Sequence, residues 1–394
     1  VRTIDVAERR ARIGVRHALA PAHHVTTPAD AARTVAALHS TDPSTVVLSV
    51  LARTSGLAPA DVEHALYESR ELVRVMAMRR TVFVAAREHA TLLLAGAGDD
   101  VARTQRRLLE KLVTQEGHTD DASAWVAAAA DRLVEAVAHL GEATSTEIAA
   151  ADPLLALRVD VGGDGSATPT VASRLLTVLG AEGRVVRTRP RGGWTSTQFR
   201  WATHARWLGS APPTETEPTA DDAATGLARL WLATHGPATI DDLRWWTGWG
   251  VTRTRAALAR LDVVEVDLSG VPGIALADDL EPVPAPDPWV ALLPALDPSV
   301  MGWKQREFLL GPHAGQLFDT TGNAGPTVWS DGRVVGGWVQ RPDGEVVVEL
   351  LEDVGAEVHD AALARAAALT DLLGDVRLSA RGRRYSPIEA RLRS

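Results

Sequence analysis

Three stretches of the chain repeat one order of elements, helix, helix, helix and then a β-hairpin, and this repetition constrains the fold more than any other feature. In the first stretch Thr27 precedes Pro28, a cap and first-turn proline that start a helix expected to reach about His39. A second helix begins at Asp42-Pro43 and carries Val46, Val47, Leu48, Val50 and Leu51; a third begins at Ala58-Pro59. β-type runs over 72–76 and 81–85 follow, with Arg79-Arg80 at the turn between them. The second stretch has helices over 122–140, 145–151 and 170–179, a glycine-rich loop at 161–167, and β-type runs over 184–188 and 198–201 around Pro190-Arg191-Gly192-Gly193. The third has helices over 227–234, 240–246 and 251–261 and a hairpin over 263–268 and 273–276. Helices followed by a hairpin with a basic tip is the order of a winged helix. Three copies are much harder to obtain by chance than one.

The flanks differ from the repeats. A basic helix over 8–19 carries Arg9, Arg10, Arg12 and Arg16. After a proline-rich linker at 283–287 come strand-like runs over 289–296, 327–340 and 345–351 and a helix over 358–373. The basic residues Arg377, Arg381, Arg383, Arg384, Arg391 and Arg393 follow. The expected fold is therefore α+β, with three tandem winged-helix motifs and a C-terminal β-rich domain. The expected boundaries are 1–95, 96–215, 216–282 and 283–394, within the two to four domains that 394 residues suggest.

Composition removes several function classes. The absence of cysteine excludes disulfides, thiolate nucleophiles and cysteine zinc sites. There is no Walker loop, no Gly-x-Ser-x-Gly elbow and no His-Glu-x-x-His helix, so neither a cofactor nor a metal is expected. No apolar run is long enough to span a bilayer, and the first residues lack a signal-peptide layout. A cytoplasmic, nucleoid-associated protein with no membrane partner is expected.

A net charge of −9 argues mildly against a non-specific nucleic-acid coat, but a focused basic cleft on an acidic body still attracts phosphate. The stretch 184–206 contains no acidic residue. Within it, Arg187, Arg189, Arg191 and Arg200 alternate with Trp194, Phe199 and Trp201, a pattern suited to phosphates and unstacked bases. The alternative is a solvated hairpin whose tryptophans pack inward. Arg12, Arg16, Arg79 and Arg80 are further candidate DNA contacts. Most of the twelve tryptophans are expected in the core.

The run His39-Ser40-Thr41-Asp42-Pro43 holds the candidate chemistry. His39 and Thr41 are two residues apart and converge only if the helix ends or bends there, which Pro43 favours. Histidine can exchange a proton near neutral pH and threonine can orient a water. On spacing alone, a single histidine near a helix end is more often structural.

Several segments, in this order and spacing, resemble the AlkZ/YcaQ family of bacterial DNA glycosylases. They are residues 38–43, 72–84, 236–248, 293–298 and 332–338, so the resemblance covers nearly the whole chain. It implies three tandem winged helices and a β-rich domain around a C-shaped DNA cleft. It also implies excision of bulky or cross-linked N7-alkylpurines, in some members as self-resistance to DNA-alkylating antibiotics. The family's catalytic motif is usually Gln-x-Gln or Gln-x-Asp. The matching positions here hold His39 and Thr41, which resembles a His-x-Thr branch.

The implied enzyme is a monofunctional, metal-independent glycosylase, a monomeric clamp on double-stranded DNA containing alkylated purines. His39 and Thr41 would orient the attacking water. Asp42, the nearest carboxylate in sequence, could stabilise the cationic sugar or cap the next helix. The competing readings are a non-catalytic winged-helix regulator and a protein-interaction scaffold.

Overall fold

Helix starts in this protein follow one local chemistry, in which a short oxygen-bearing side chain accepts the first free amides and proline often follows. In the computed structural model, which describes residues 1–160, 168–209, 218–380 and 383–393, Thr27 caps Pro28–Arg33 and Asp42 caps Pro43–Leu51. Thr239 and Asp242 form a reciprocal capping box on Ile240–Thr247. The glycine-rich loop at 161–167 and Arg381 lie outside the described residues.

The first unit comprises Pro28–Arg33, Pro43–Leu51 and Pro59–Tyr67, followed by the hairpin Leu72–Ala77 and Thr81–Ala86. Its first helix is shorter than expected. It stops at Arg33, Ala36 adopts a left-handed φ of 61°, and Leu38–His39 becomes a strand beside Thr81–Ala86. Burial of Leu38 against the sheet outweighs the helical preference of the alanine-rich run, an instance of tertiary context overriding propensity. The N-terminal helix is likewise shifted, to Val6–Arg16, because Asp5 supplies the cap.

The second unit contains Ala122–Leu140, Ser145–Ala150 and Val171–Ala181 and a sheet of Ala143–Thr144, Arg200–Thr203 and Val185–Arg187, in that order. It also contains a 17-residue helix, Asp99–Gln115, outside the expected elements. The third unit contains Ala220–His235, Ile240–Thr247 and Val251–Leu258 and the hairpin Val263–Asp267 and Pro272–Leu276. Arg2–Thr3 completes that sheet by parallel pairing with Val263–Asp267.

The last part is a four-stranded antiparallel meander of Val290–Leu293, Thr327–Ser330, Arg333–Gln340 and Val346–Leu350. Helix Ala356–Leu373 packs on it, starting two residues before its expected position. Part of the basic tail forms another helix, Pro387–Arg393.

A polar knot joins these parts. Arg53 and Asp297 are both 0% exposed and form a bidentate pair at 2.7 and 2.8 Å. Ser49 donates to Asp297 at 2.6 Å, and Arg53 also donates to the Ser299 hydroxyl at 2.8 Å. Ser299 reaches His17 Nδ1 at 2.8 Å, and His17 lies 4.9 Å edge-on from His235. The Trp303 indole N–H donates to the His235 carbonyl at 3.0 Å.

Removing one partner of a buried pair leaves the other charge without compensation. Asp297→Ala is expected to destabilise the protein by about 3–5 kcal/mol. Chemical denaturation of both proteins at pH 7 measures it, and a loss below about 1 kcal/mol would show that the knot contributes little.

Candidate active site and nucleic-acid interface

The turn after Leu38–His39 builds the candidate catalytic pair. His39 lies opposite Phe83 in the sheet, and the Ser40 amide donates to the Val82 carbonyl at 2.9 Å. The chain then bends into the helix capped by Asp42. His39 is 7% exposed, with its ring edge-on to Phe83 at 5.5 Å. The Thr41 amide approaches Nδ1 at 3.4 Å, so residue 41 is on the Nδ1 side of the ring, and Thr41 is only half-buried.

Burial, and after it the charge of Arg79, pushes the His39 pKa down to about 3. The imidazole is therefore neutral at physiological pH, and Nδ1 faces the Thr41 amide.

Arg79 comes from the tip of the first hairpin. It and Arg80 adopt φ values of 55° and 60°, a conformation disfavoured for side-chain-bearing residues. The tip docks against Gly248, where an added Cβ would stand 3.1 Å from Arg79 Cγ. Arg79 sits 4.1 Å from the Trp245 ring centroid, and burial lowers its pKa to about 10. Arg80 turns away, with Gln105 Oε1 3.4 Å from its guanidinium.

Arg74 approaches the turn from another side. It is 7% exposed, its Nε is 3.4 Å from the Ser40 hydroxyl, and its guanidinium lies 4.8 Å from the Phe199 ring.

The second hairpin continues this cationic surface. Arg187 lies between Phe199 and Trp201, at 5.4 and 5.0 Å, and burial lowers its pKa to about 10. Arg189 pairs with Glu68 at 2.9 Å, Arg191 with Glu147 at 2.6 Å, and Arg200 with Glu142 at 3.6 Å. The hairpin's acidic partners thus come from elsewhere in the chain. Phe199 and Trp201 are buried, and Trp194 is half-buried against the cores of both the first unit and the C-terminal sheet. The aromatics pack inward and support arginines.

Other expected site residues have structural positions. Arg12 is 2% exposed and bound by Glu8, Asp279 and the Glu281 carbonyl. Arg16 is held by Asp279 and the Gly236 carbonyl. Both fasten the N-terminal helix to the third unit rather than offering charge to DNA. Asp42 is 2% exposed and accepts from the Ser44 amide and hydroxyl at 3.1 and 2.7 Å, with Arg383 at 3.9 Å. It caps its helix, as one of its two readings proposed. Among the described residues, no group of three or more His, Asp or Glu could hold a metal ion.

Arg306 escaped the sequence reading. It lies 5.2 Å from Trp245 and 4.5 Å from Phe318, with its pKa lowered to about 10 by burial and then by Arg79. The available signal was a lysine and an arginine, Lys304 and Arg306, directly after a core tryptophan, Trp303.

Comparison with known proteins agrees with this architecture. The sequence model of the family described as DNA glycosylase AlkZ-like matches residues 32–373. An interstrand DNA cross-link repair glycosylase of Streptomyces sahachiroi is 30% identical over 145 residues, which is 34% of this chain. The match spans 39% of that curated relative's length. The solved structure of the Streptomyces sahachiroi DNA glycosylase AlkZ superposes with a TM-score of 0.75 at 20% identity. The superposition covers 95% of this chain and 98% of that one, and shows the same fold.

Buried neutral histidines make stability depend on pH. His39 and His235 are each pushed down to about 3, and burial holds His17 well below its ordinary value. The unfolded chain binds these protons near pH 6.5, whereas the folded chain resists them. Stability is therefore complete above about pH 6.5 and lost as pH falls toward 3, by up to about 1.4 kcal/mol per pH unit per histidine. Thermal midpoints should fall between pH 7 and pH 4, and less steeply in His39→Gln; equal slopes would refute a depressed His39.

Proposed function

As the chain belongs to the AlkZ-like DNA glycosylase family, we propose that it hydrolyses the N-glycosidic bond of bulky or cross-linked N7-alkylated purines in double-stranded DNA. The observation that carries the reading is the neutral His39 ring beside Thr41 and under the charge of Arg79, and by resemblance these two residues match the family's catalytic motif. The cross-link repair relative supports the bulky-lesion part of the proposal.

An N7-alkylpurine already carries positive charge and leaves as a neutral base, so departure needs no general acid. The remaining task is to deliver water to a sugar oxocarbenium ion. His39 and Thr41 orient that water. Attack on so strong an electrophile runs ahead of proton loss, and the resulting oxonium is far more acidic than an imidazolium with a pKa of about 3. The ring can therefore accept the proton after the C–O bond forms, despite its low basicity. This makes His39 primarily an orienting residue. Asp42 has no part in this step.

DNA is held by the second hairpin. The pairs of Arg189, Arg191 and Arg200 are largely solvent-facing and so individually weak. Phosphates can replace those carboxylates as partners. Processing of antibiotic–guanine adducts as self-resistance is one role this activity would serve.

His39→Ala should lower single-turnover excision of N7-alkylguanine from a duplex by about 10²–10⁴-fold while duplex affinity stays within a few-fold. In the wild type the rate should be flat from pH 5 to 8, because His39 does not titrate there. Unchanged excision by the variant would remove His39 from the mechanism. In Arg189→Gln/Arg191→Gln, binding should weaken and the salt slope should shrink by up to about 2. A slope equal to that of the wild type would place the duplex elsewhere.

A further inference from the structure

Several deeply placed arginines pair with a carboxylate, as Arg53 does with Asp297 and Arg383 with Glu389. Among the described residues, Arg79 and Arg306 have no such carboxylate, and they share one indole. Their guanidiniums lie 4.1 and 5.2 Å from the Trp245 centroid, and Phe318 supports Arg306 at 4.5 Å. Among the described residues, Arg79 has no hydrogen-bond or carboxylate partner. Arg306 has only the Val300 carbonyl at 3.3 Å and the Met301 sulfur at 3.6 Å.

The charge of Arg79 opposes the charged state of Arg306, which Glu307 and Asp242 offset only in part without bonding to it. Two like charges brought together over an apolar ring cost free energy unless an anion joins them. The nearby Asp242 carboxylate does not serve, because its oxygens accept from Thr239, Lys304 and Gln305. It instead fixes the loop that leads into Arg306. The hairpin tip, for its part, holds Arg79 in a left-handed conformation. Arg79 remains exposed and Arg306 half-buried, so an incoming ligand can reach both.

We propose that Arg79 and Arg306, braced on Trp245, clamp a single DNA phosphodiester beside the nucleotide being processed at His39. Two guanidiniums can bridge the non-bridging oxygens of one phosphate, a planar, charge-assisted geometry that a lone ammonium cannot reproduce. The ligand is a backbone phosphate because Arg79 is the charged group that acts on the His39 ring, so an anion bound there sits next to the reacting sugar. Its negative charge would also oppose the field of Arg79 at His39. The clamp joins the first hairpin to the C-terminal part and would fix the register of the strand. It rests on the reading of this surface as the DNA-facing one.

The test is a neutral-linkage scan. Duplexes carrying a tetrahydrofuran abasic analogue receive one methylphosphonate at successive positions, and affinities are measured at fixed salt for the wild type, Arg79→Gln, Arg306→Gln and Arg306→Lys. Wild type should lose roughly tenfold or more at one or two adjacent positions beside the analogue. Both glutamine variants should lose a similar factor on the all-phosphate duplex and be indifferent to the neutral linkage at those positions. Arg306→Lys should recover only part of the loss. Circular dichroism melts matching the wild type establish that the variants fold, and Trp245→Leu, which removes the shared indole, should mimic the glutamine variants.

Wild-type affinity in both glutamine variants, or an unchanged position dependence, overturns the clamp. A position-specific loss in a protein that excises no alkylpurine would support the clamp while refuting the glycosylase reading. Full excision together with an unchanged scan would do the reverse.

Discussion

The buried Arg53–Asp297 pair is the interaction on which the arrangement of this protein depends. It joins the end of the helix that follows the candidate catalytic turn to the loop after the first strand of the C-terminal sheet. Through Ser299 it reaches His17, and through His17 and Trp303 it reaches His235 in the third unit. Segments far apart in sequence meet at one polar core. A wholly apolar contact would resist sliding less, because a bidentate guanidinium–carboxylate pair has a single geometry. The position of His39 relative to the arginines of other units follows from that fixed geometry. The geometry also sets the His39 environment, since burial comes from neighbouring strands and the added field from a hairpin tip seated against Gly248.

Much of the architecture was legible because it is written in local chemistry. Thr27-Pro28, Asp42-Pro43 and Thr239 with Asp242 announce helix starts, and those helices begin there. The β-type runs around Arg79-Arg80 form the expected hairpin. What local chemistry cannot report is competition with distant partners. Residues 34–39 read as helix, and Leu38–His39 instead completes a sheet because a strand edge is available there. The parallel pairing of Arg2–Thr3 with Val263–Asp267 has no sequence signal at all.

The candidate site was legible in part, for the same reason. Convergence of His39 and Thr41 was expected from a helix break near Pro43; the helix instead stops at Arg33, and the turn out of the Leu38–His39 strand brings the Thr41 amide to the ring. The basic residues were harder to sort, since an arginine that fastens two helices and one that awaits a phosphate look alike in a sequence. Arg12 and Arg16 are fasteners because Glu8 and Asp279 fold against them. Arg187 differs from them: two aromatic rings surround it, and among the described residues no acid pairs with it. The acid-free run over 184–206 was informative about this surface, yet Glu68, Glu142 and Glu147 come to it from other segments.

On the proposed function, those three carboxylates would give the surface a threshold of valence. A mononucleotide that displaces one of them exchanges one anion for another and gains little. A duplex presents phosphates at regular spacing, so it can displace all three together while shedding its own condensed cations. Free nucleotides, however abundant, would therefore be poor competitors, and the resident glutamates would act as a filter that admits polymers.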